Sequence, residues 1–260
     1  NDMALIGANL ANGVRGDQGL AYIYEKPGSG WRDTDTETVK LMASDADTSD
    51  WFGFFVSLSE DGKTALVGAE RDNNSSGALD TGSAYLFEKP VIGGWGGSGS
   101  ELTEVAKLTA SDSVAEDKFG HAGAISGNNV IIGTNYHSTA GHFAGQAYLF
   151  VKPSEGWRDS QENETIPASD TTAGDQYGYS VAYSGDTALI GAPTDDDLGD
   201  NTGSAYFKRF ECGTSGSVPA DRWTMLAIPC QLDLAPTITD ILGDDFLIRD
   251  YLVTWAVYGW

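Results

Sequence analysis

The sequence predicts an all-β fold: a β-propeller of about four blades, each with four antiparallel strands. The first reason is a repeat, because the dipeptide Ala-Tyr begins at residues 21, 84, 147 and 205, at intervals of 63, 63 and 58. The second reason is that no segment shows a sustained helical period of apolar residues. Four short strands in a repeat of about 60 residues are typical of a propeller blade, whereas the repeats of parallel β-solenoids are shorter.

Five landmarks recur in the same order along the chain, which favours a repeated structural unit. Besides Ala-Tyr, they are a Gly within Ile/Val-Gly-Ala/Thr, the triplet Ala-Ser-Asp, an aromatic residue followed by Gly, and a Trp. They stand at Gly7, Gly68, Gly133 and Gly191; Asp45, Asp112 and Asp170; Phe52, Phe119 and Tyr177; and Trp31, Trp95, Trp157 and, more loosely, Trp223. We expect each Trp to pack an outer hairpin, with stacking on sugars as the alternative.

The last unit shows the strand pattern most clearly. Residues 177–184 have strand composition, and a short polar turn leads to a second strand at 187–191 and, after an acidic loop, to a third at 204–210. In the second unit the equivalent turn contains Asp61-Gly62, a pair that favours a tight hairpin. The fourth strand of that unit is predicted at 104–110.

The run YGYSVAYSGDTALIGAP at 177–193 resembles the FG-GAP repeat, and close variants stand at 52–69 and 119–134. With a half copy at 3–8, the resemblance covers roughly residues 3–228. It implies the β-propeller found in integrin α-subunits and in many bacterial surface and secreted proteins, and it implies fold more strongly than function. The chain departs from the family because it has about four units where seven blades are usual. It also lacks the integrin-type calcium loop between the first two strands.

The predicted domain organisation is a propeller over 1–228, in units of about 1–50, 51–117, 118–175 and 176–228, followed by a C-terminal tail at 229–260. The first unit lacks its opening strand, while residues 250–260 have the aromatic and β-branched content of a spare strand. Two interpretations stay open. Either the chain is truncated or closes on itself, or the tail completes a blade in the next chain and gives a head-to-tail polymer.

The charge of the chain excludes several classes of partner. Fifteen basic and 38 acidic residues give a net charge of −23, which disfavours nucleic acids and anionic membrane surfaces. No apolar run is long enough to span a membrane. Two cysteines in an acidic, Gly-rich chain favour a Cys212–Cys230 disulfide in an oxidising compartment, the alternative being two buried thiols. We therefore expect an extracellular or cell-surface location.

Calcium is the cofactor that the sequence favours, because Asp-rich loops follow the second strands of several units. The candidate ligands are Asp195, Asp197 and Asp200 in the last unit, and Asp72 and Asp80 in the second. A solvated acidic loop is the alternative.

Other polar patterns carry weaker signals. The Asp residues that precede each aromatic-Gly pair are typical of turns in which carboxylates cap backbone amides; they are Asp45 with Asp50, Asp112 with Asp117, and Asp170 with Asp175. His137 and His142 have no third His or Cys nearby to make a transition-metal site. No nucleophile, zinc-protease or phosphate-loop motif is present, so no catalytic residue is assigned.

These observations predict a non-enzymatic extracellular structural or adhesive propeller, one that self-assembles head to tail if strands are exchanged. Its partners would be further copies of itself, or other surface proteins and glycans. Two alternatives are a secreted enzyme that acts on polysaccharide in the propeller channel, and a ligand-binding ectodomain of a larger surface protein.

Overall fold

The computed structural model describes residues 2–210, apart from 34–35, 75, 98, 139, 198 and 200. The chain divides into two compact units, Asn1–Lys208 and Arg209–Trp260. The four sheets form the first unit, and the last strand ends at Arg209. The predicted tail strand and the predicted Cys212–Cys230 disulfide lie outside the described residues.

The described part of the chain is all-β and contains no helix, as predicted. Its strands are, in chain order, β1 (Met3–Ala8), β2 (Leu20–Glu25), β3 (Val39–Met42), β4 (Phe52–Leu58), β5 (Thr64–Ala69), β6 (Ser83–Glu88), β7 (Ser100–Thr103), β8 (Ala106–Thr109), β9 (Ala122–Ser126), β10 (Asn129–Thr134), β11 (Gln146–Val151), β12 (Ser160–Gln161), β13 (Glu164–Ile166), β14 (Ser180–Ser184), β15 (Thr187–Ala192) and β16 (Ser204–Arg209). Because these elements include no helix, the described residues offer no helix of the length and apolarity that a membrane crossing needs.

Four antiparallel-rich sheets follow one another like propeller blades, which confirms the predicted fold class of about four blades. Blade 1 has the strand order β1-β2-β3-β7, blade 2 has β4-β5-β6-β8-β12, blade 3 has β9-β10-β11-β13, and blade 4 has β14-β15-β16. The strands β1, β4, β9 and β14 contact one another in succession. Within the described residues β1 has one neighbour, β2, and no strand among them takes the opening position that β4, β9 and β14 take in blades 2, 3 and 4.

Recurring glycines mark close backbone contacts between blades. Gly133 lies opposite Ala147 in the β10–β11 pair, and a Cβ atom on Gly133 would come within 2.0 Å of the carbonyl oxygen of Gly178, which precedes blade 4. Gly178 has a φ of 89°, and a Cβ atom there would lie 2.3 Å from the carbonyl oxygen of Gln146. Only Gly fits this conformation and spacing without displacing the backbone.

The core of the fold lies between consecutive blades. Phe119 is fully buried and contacts Tyr148 and Phe150 with ring centroids 5.6 and 5.9 Å apart. The same cluster contains Leu86 and Leu108 of blade 2, so the aromatic residue of each aromatic-Gly pair fills the space between two sheets. Phe52 repeats these contacts between blades 1 and 2. Edge-to-face aromatic packing of this kind stabilises an interface beyond the burial of area alone.

Two short strands that the sequence did not predict join neighbouring blades. β7, in the connection between β6 and β8 of blade 2, pairs in parallel with β3 of blade 1, and β12, in the connection between β11 and β13 of blade 3, pairs in parallel with β8 of blade 2. Beside each pair, a serine of one blade donates its backbone N–H and its hydroxyl to a glutamate of the next. The pairs are Ser44 with Glu104 and Ser111 with Glu162. The blades are thus connected by polar contacts at their outer edges as well as by the apolar core.

Candidate metal centre between the blades

Three equivalent clusters of acidic side chains lie at the interfaces between the blades. Each contains the Asp of Ala-Ser-Asp from one blade and, from the next blade, the Tyr of Ala-Tyr and the residue four positions after the recurring Gly. The first interblade cluster is Asp45, Asp50, Asp72 and Tyr85, the second is Asp112, Asp117, His137 and Tyr148, and the third is Asp170, Asp175, Asp195, Asp197 and Tyr206.

The fold brings these residues together by the same means in each interface. In the second cluster the Tyr148 hydroxyl donates a 2.8 Å hydrogen bond to Asp112, which belongs to the preceding blade. The second Asp of each pair caps the turn, as the sequence indicated, because Asp117 accepts the backbone N–H of Val114 at 2.7 Å. Burial and the neighbouring carboxylates raise the pKa of Tyr148, so its hydroxyl stays protonated and acts as a donor.

In the first cluster a lysine neutralises the carboxylates. Lys107 Nζ lies 2.6 Å from Asp45 Oδ2 and 2.6 Å from Asp72 Oδ2. Although burial opposes it, contact with Asp72 and Asp45 raises the pKa of Lys107. Burial raises the pKa of Asp50 to about 6, and one oxygen of that buried carboxyl has no hydrogen-bond partner. The ammonium group of Lys107 therefore supplies the positive charge between the carboxylates of two blades.

In the second cluster a histidine stands where the first has an Asp. His137 occupies the register position of Asp72; its Nδ1 lies 3.0 Å from Asp117 Oδ2 and its Nε2 lies 3.5 Å from Asp112 Oδ2. Although burial opposes it, the hydrogen bond and charge of Asp117 raise the pKa of His137 above 6.5. When His137 is protonated, its imidazolium ring supplies a positive charge beside these carboxylates.

The His137 contact should make stability depend on pH. Because the folded-state pKa of His137 is raised, its contribution is fully present below its unfolded-state pKa of about 6.5 and is lost as the pH rises through the folded-state value. We expect wild type to exceed a His137→Gln variant in melting temperature most at pH 6, with a gap that narrows towards pH 8.5. Thermal melts followed by circular dichroism at several pH values test this, and a pH-independent gap would contradict it.

The third cluster has four carboxylates and no basic side chain among the described residues. One oxygen each from Asp170, Asp195 and Asp197 lie within 4.8 Å of one another, so this Asp triad could hold a metal ion. The Tyr206 hydroxyl donates to both Asp170 and Asp195. That hydrogen bond lowers the pKa of Asp195, while desolvation and the charges of Asp195 and Asp170 raise the pKa of Asp197. The raised pKa of Asp197 thus reflects, besides desolvation, negative charges held close together.

The structure combines the candidate ligands differently from the sequence-based grouping. Asp195 and Asp197 lie together, but their third partner is Asp170 from the preceding blade, and Asp200 lies outside the described residues. Asp72 is bound to Lys107, and Asp80 lies in its loop, where its N–H donates to the Asn73 side chain at 3.0 Å. These contacts do not test calcium binding by Asp72 and Asp80, and the ion pair with Lys107 disfavours it. The sequence did single out Asp170 as the Asp of a recurring Ala-Ser-Asp triplet. Only the packing of the blades shows which loop this residue faces.

The two remaining histidines have different surroundings. The His142 ring packs on Phe143 with centroids 3.8 Å apart. His121 Nδ1 lies 2.7 Å from the buried carboxylate of Glu70, and its ring lies between those of Phe54 and Tyr179. Within the described residues no Ser, Thr or Cys side chain hydrogen-bonds to His121, so the pair has no adjacent nucleophile of the kind used in acyl transfer.

Comparison with known protein families agrees with this architecture. The profile of the FG-GAP repeat matches residues 36–87, 102–150 and 160–207, together more than half of the 260 residues. A search of curated proteins finds no match. FG-GAP repeats are typical of extracellular or surface proteins, and the family is generally non-enzymatic. The repeated blades, the glycines that let them touch and the matched segments all lead to one conclusion: the chain belongs to the FG-GAP repeat family.

Proposed function

We propose that the chain is a non-enzymatic structural or adhesive module of the extracellular surface that assembles head to tail. The observation that supports assembly is the open edge of β1. The equivalent strands β5, β10 and β15 each have neighbours on both sides, whereas β1 pairs only with β2 among the described residues. An unpaired strand edge offers a row of backbone hydrogen-bonding groups to an added strand. Residues 250–260, with their strand composition, are the segment that we propose fills this edge in a neighbouring chain.

Removal of residues 246–260 tests this assembly. If the tail fills the edge of another chain, the deletion should leave folded monomers and abolish polymers in sedimentation velocity, and added tail peptide should stop growth. If the tail closes its own chain, the deletion should instead lower the melting temperature of the monomer. A full-length variant with Val253→Pro and Ala256→Pro is the matched control. It keeps the tail but removes two of the backbone N–H donors that strand pairing would use. An unchanged melting temperature together with an unchanged assembly state would contradict both versions.

We further propose that the third interblade cluster binds calcium. Its two equivalents are neutralised by Lys107 and by His137, and the predicted fourth strand of the last unit, 223–228, contains no Lys, Arg or His. A site of carboxylate oxygens suits a hard divalent cation, and Ca²⁺ accepts six to eight oxygen ligands in flexible geometry. Asp200, from the same loop, would be a further ligand. Calcium would then connect blade 3 to blade 4 as Lys107 connects blade 1 to blade 2.

Thermal melting separates specific calcium binding from charge screening. Calcium should raise the melting temperature of chelator-treated protein more than the same concentration of magnesium does. At a concentration about 100 times the dissociation constant, the stabilisation would be about 2.7 kcal/mol. Asp197→Asn should abolish the calcium-specific shift, and Asp80→Asn in the second unit should leave it intact. Equal shifts with both ions would argue against a specific site.

A further inference from the structure

The back face of a blade is the face turned towards the preceding blade. The two complete interfaces among the described residues show what this face binds. In blade 2, Tyr85 and Lys107 bind the carboxylate of Asp45, and Glu104 accepts two hydrogen bonds from Ser44. In blade 3, the Tyr148 hydroxyl donates to Asp112, and Glu162 accepts two hydrogen bonds from Ser111. Each back face therefore recognises a Ser-Asp pair at the end of the fourth strand of the blade before it.

A lysine and a tryptophan complete this contact. Lys89 of blade 2 binds Glu25 at the end of β2, and Lys152 of blade 3 binds Glu88 at the end of β6. Trp95 is fully buried between blades 1 and 2, and Trp157 is 8 % exposed between blades 2 and 3. The repeated contact thus combines an apolar stripe with a fixed set of polar groups.

Blade 1 carries the same groups on a face that no described blade covers. Tyr22, Lys40 and Glu37 occupy the register positions of Tyr85, Lys107 and Glu104, since Tyr22 pairs with Lys40 as Tyr85 pairs with Lys107. Trp31, the equivalent of Trp95, is 49 % exposed, and Ile6, the equivalent of the fully buried Val67, is 50 % exposed.

The charged groups of this face form ion pairs with other side chains. Lys40 Nζ lies 3.4 Å from Glu101, and Lys26, the equivalent of Lys89, contacts the exposed Asp2 at 3.1 Å. Exposed ion pairs of this kind contribute little to stability, so they present little obstacle to exchange with a better partner. We name the set Ile6, Tyr22, Trp31, Glu37 and Lys40 the open back face.

We propose that the open back face is a docking surface for a further FG-GAP-type blade, one whose fourth strand ends in Ser-Asp and whose third strand ends in Glu. Tyr22 and Lys40 would bind the Asp, Glu37 would accept from the Ser, and Lys26 would pair with the Glu. The proposal rests on the structural role proposed above but not on strand exchange, because the tail would fill the edge of β1 and leave the face beside it uncovered. Complementary charge and continuity with two interfaces of identical design support this occupant.

The fourth unit of a second copy does not have this chemistry. Residues 223–260 contain no Ser, so no Ser-Asp pair follows its predicted fourth strand, and Arg209 stands where blades 1 and 2 have Glu25 and Glu88. Arg209 in that place would repel Lys26 rather than bind it. The three Ser-Asp pairs within Ala-Ser-Asp triplets, which end at Asp45, Asp112 and Asp170, each have their Asp bound by the blade that follows.

A fusion protein can place a blade with this chemistry in front of blade 1. Residues 51–127 are copied and joined directly in front of Asp2, because Asp2 and Asn128 have equivalent places: their carbonyl oxygens accept from Lys26 and Lys152, each at 2.7 Å. Acrylamide quenching of Trp31 fluorescence is obtained as the difference in quenching between each protein and its Trp31→Phe variant. We expect Trp31 in the fusion to be as protected as Trp95 and Trp157 are, and the melting temperature to rise.

The matched control is the same fusion with Ser111→Ala and Asp112→Asn in the added copy alone. We expect it to fold, as circular dichroism will show, but to regain exposure of Trp31 and lose most of the gain in melting temperature. Three results would overturn the proposal: an exposed Trp31 in the fusion, equal protection and stability in the control, or protection of Trp31 in the unfused chain that grows with concentration, since that would make a second copy the occupant. The tail deletion tests strand exchange independently of the fusion, so one proposal can fail while the other holds.

Discussion

Replacing Trp95 by Ala should lower the free energy of unfolding by about 3–5 kcal/mol, the largest loss expected from a single core substitution in this chain. Trp95 is fully buried between blades 1 and 2, and its indole N–H donates to the carbonyl oxygen of Gly62 at 3.1 Å. The substitution would leave both a cavity and an unsatisfied acceptor. Urea denaturation followed by far-ultraviolet circular dichroism measures the loss without relying on tryptophan fluorescence.

The repeat supplies a matched control for this substitution. Trp31 occupies the equivalent position of blade 1 but is 49 % exposed. Trp31→Ala should therefore cost less than about 1 kcal/mol, because no second blade covers the side chain. Equal losses at the two positions would mean that Trp31 is covered in solution, and would contradict the open back face.

Lys107→Met should destabilise the chain by about 2–4 kcal/mol, because it removes the ammonium group that lies between Asp45 and the buried Asp72 while keeping most of the length of the side chain. Lys63→Met is the control, since Lys63 makes a single exposed ion pair with Asp61 and should change stability by less than about 1 kcal/mol. Both are compared with wild type by urea denaturation.

Two further variants show whether the loss arises from uncompensated charge. Adding Asp72→Asn to Lys107→Met should recover part of the stability, since one buried carboxylate is then neutral. Calcium should also stabilise Lys107→Met more than it stabilises Lys63→Met, because the first cluster then has an excess of carboxylates, as the third does. A double variant no more stable than Lys107→Met would indicate that packing, and not charge, is the role of Lys107.

The sequence predicts the blades well because each blade is built from local signals. Ala-Tyr and the recurring Gly identify the central strands, and the Gly of each aromatic-Gly pair has a backbone conformation that disfavours other residues. Tight hairpins such as β9–β10 join neighbours in the chain through two residues, Gly127 and Asn128, so the turn fixes their register. The capping role of Asp117 is equally local, since its acceptor contact lies three residues away.

Contacts between blades carry no such local signal. Tyr85 reaches Asp45 across 40 residues and Lys107 reaches it across 62, so both partners are recognisable repeats whose pairing depends on how two sheets stack. β7 and β12 have two to four residues and lack a strong strand pattern; they pair because the neighbouring blade presents an edge. For the same reason the sequence grouped Asp197 with its own loop and not with Asp170.

We propose that the three interblade clusters are one site neutralised in three ways: by Lys107, by His137 and, in the third, by a divalent cation. Anomalous diffraction from crystals grown with calcium would locate that cation. We expect a single calcium peak bounded by Asp170, Asp195 and Asp197, and none beside Asp72 or Asp117, where Lys107 and His137 already bind. A calcium peak at either of those clusters, or crystals in well-occupied calcium conditions with no peak at the third, would contradict it.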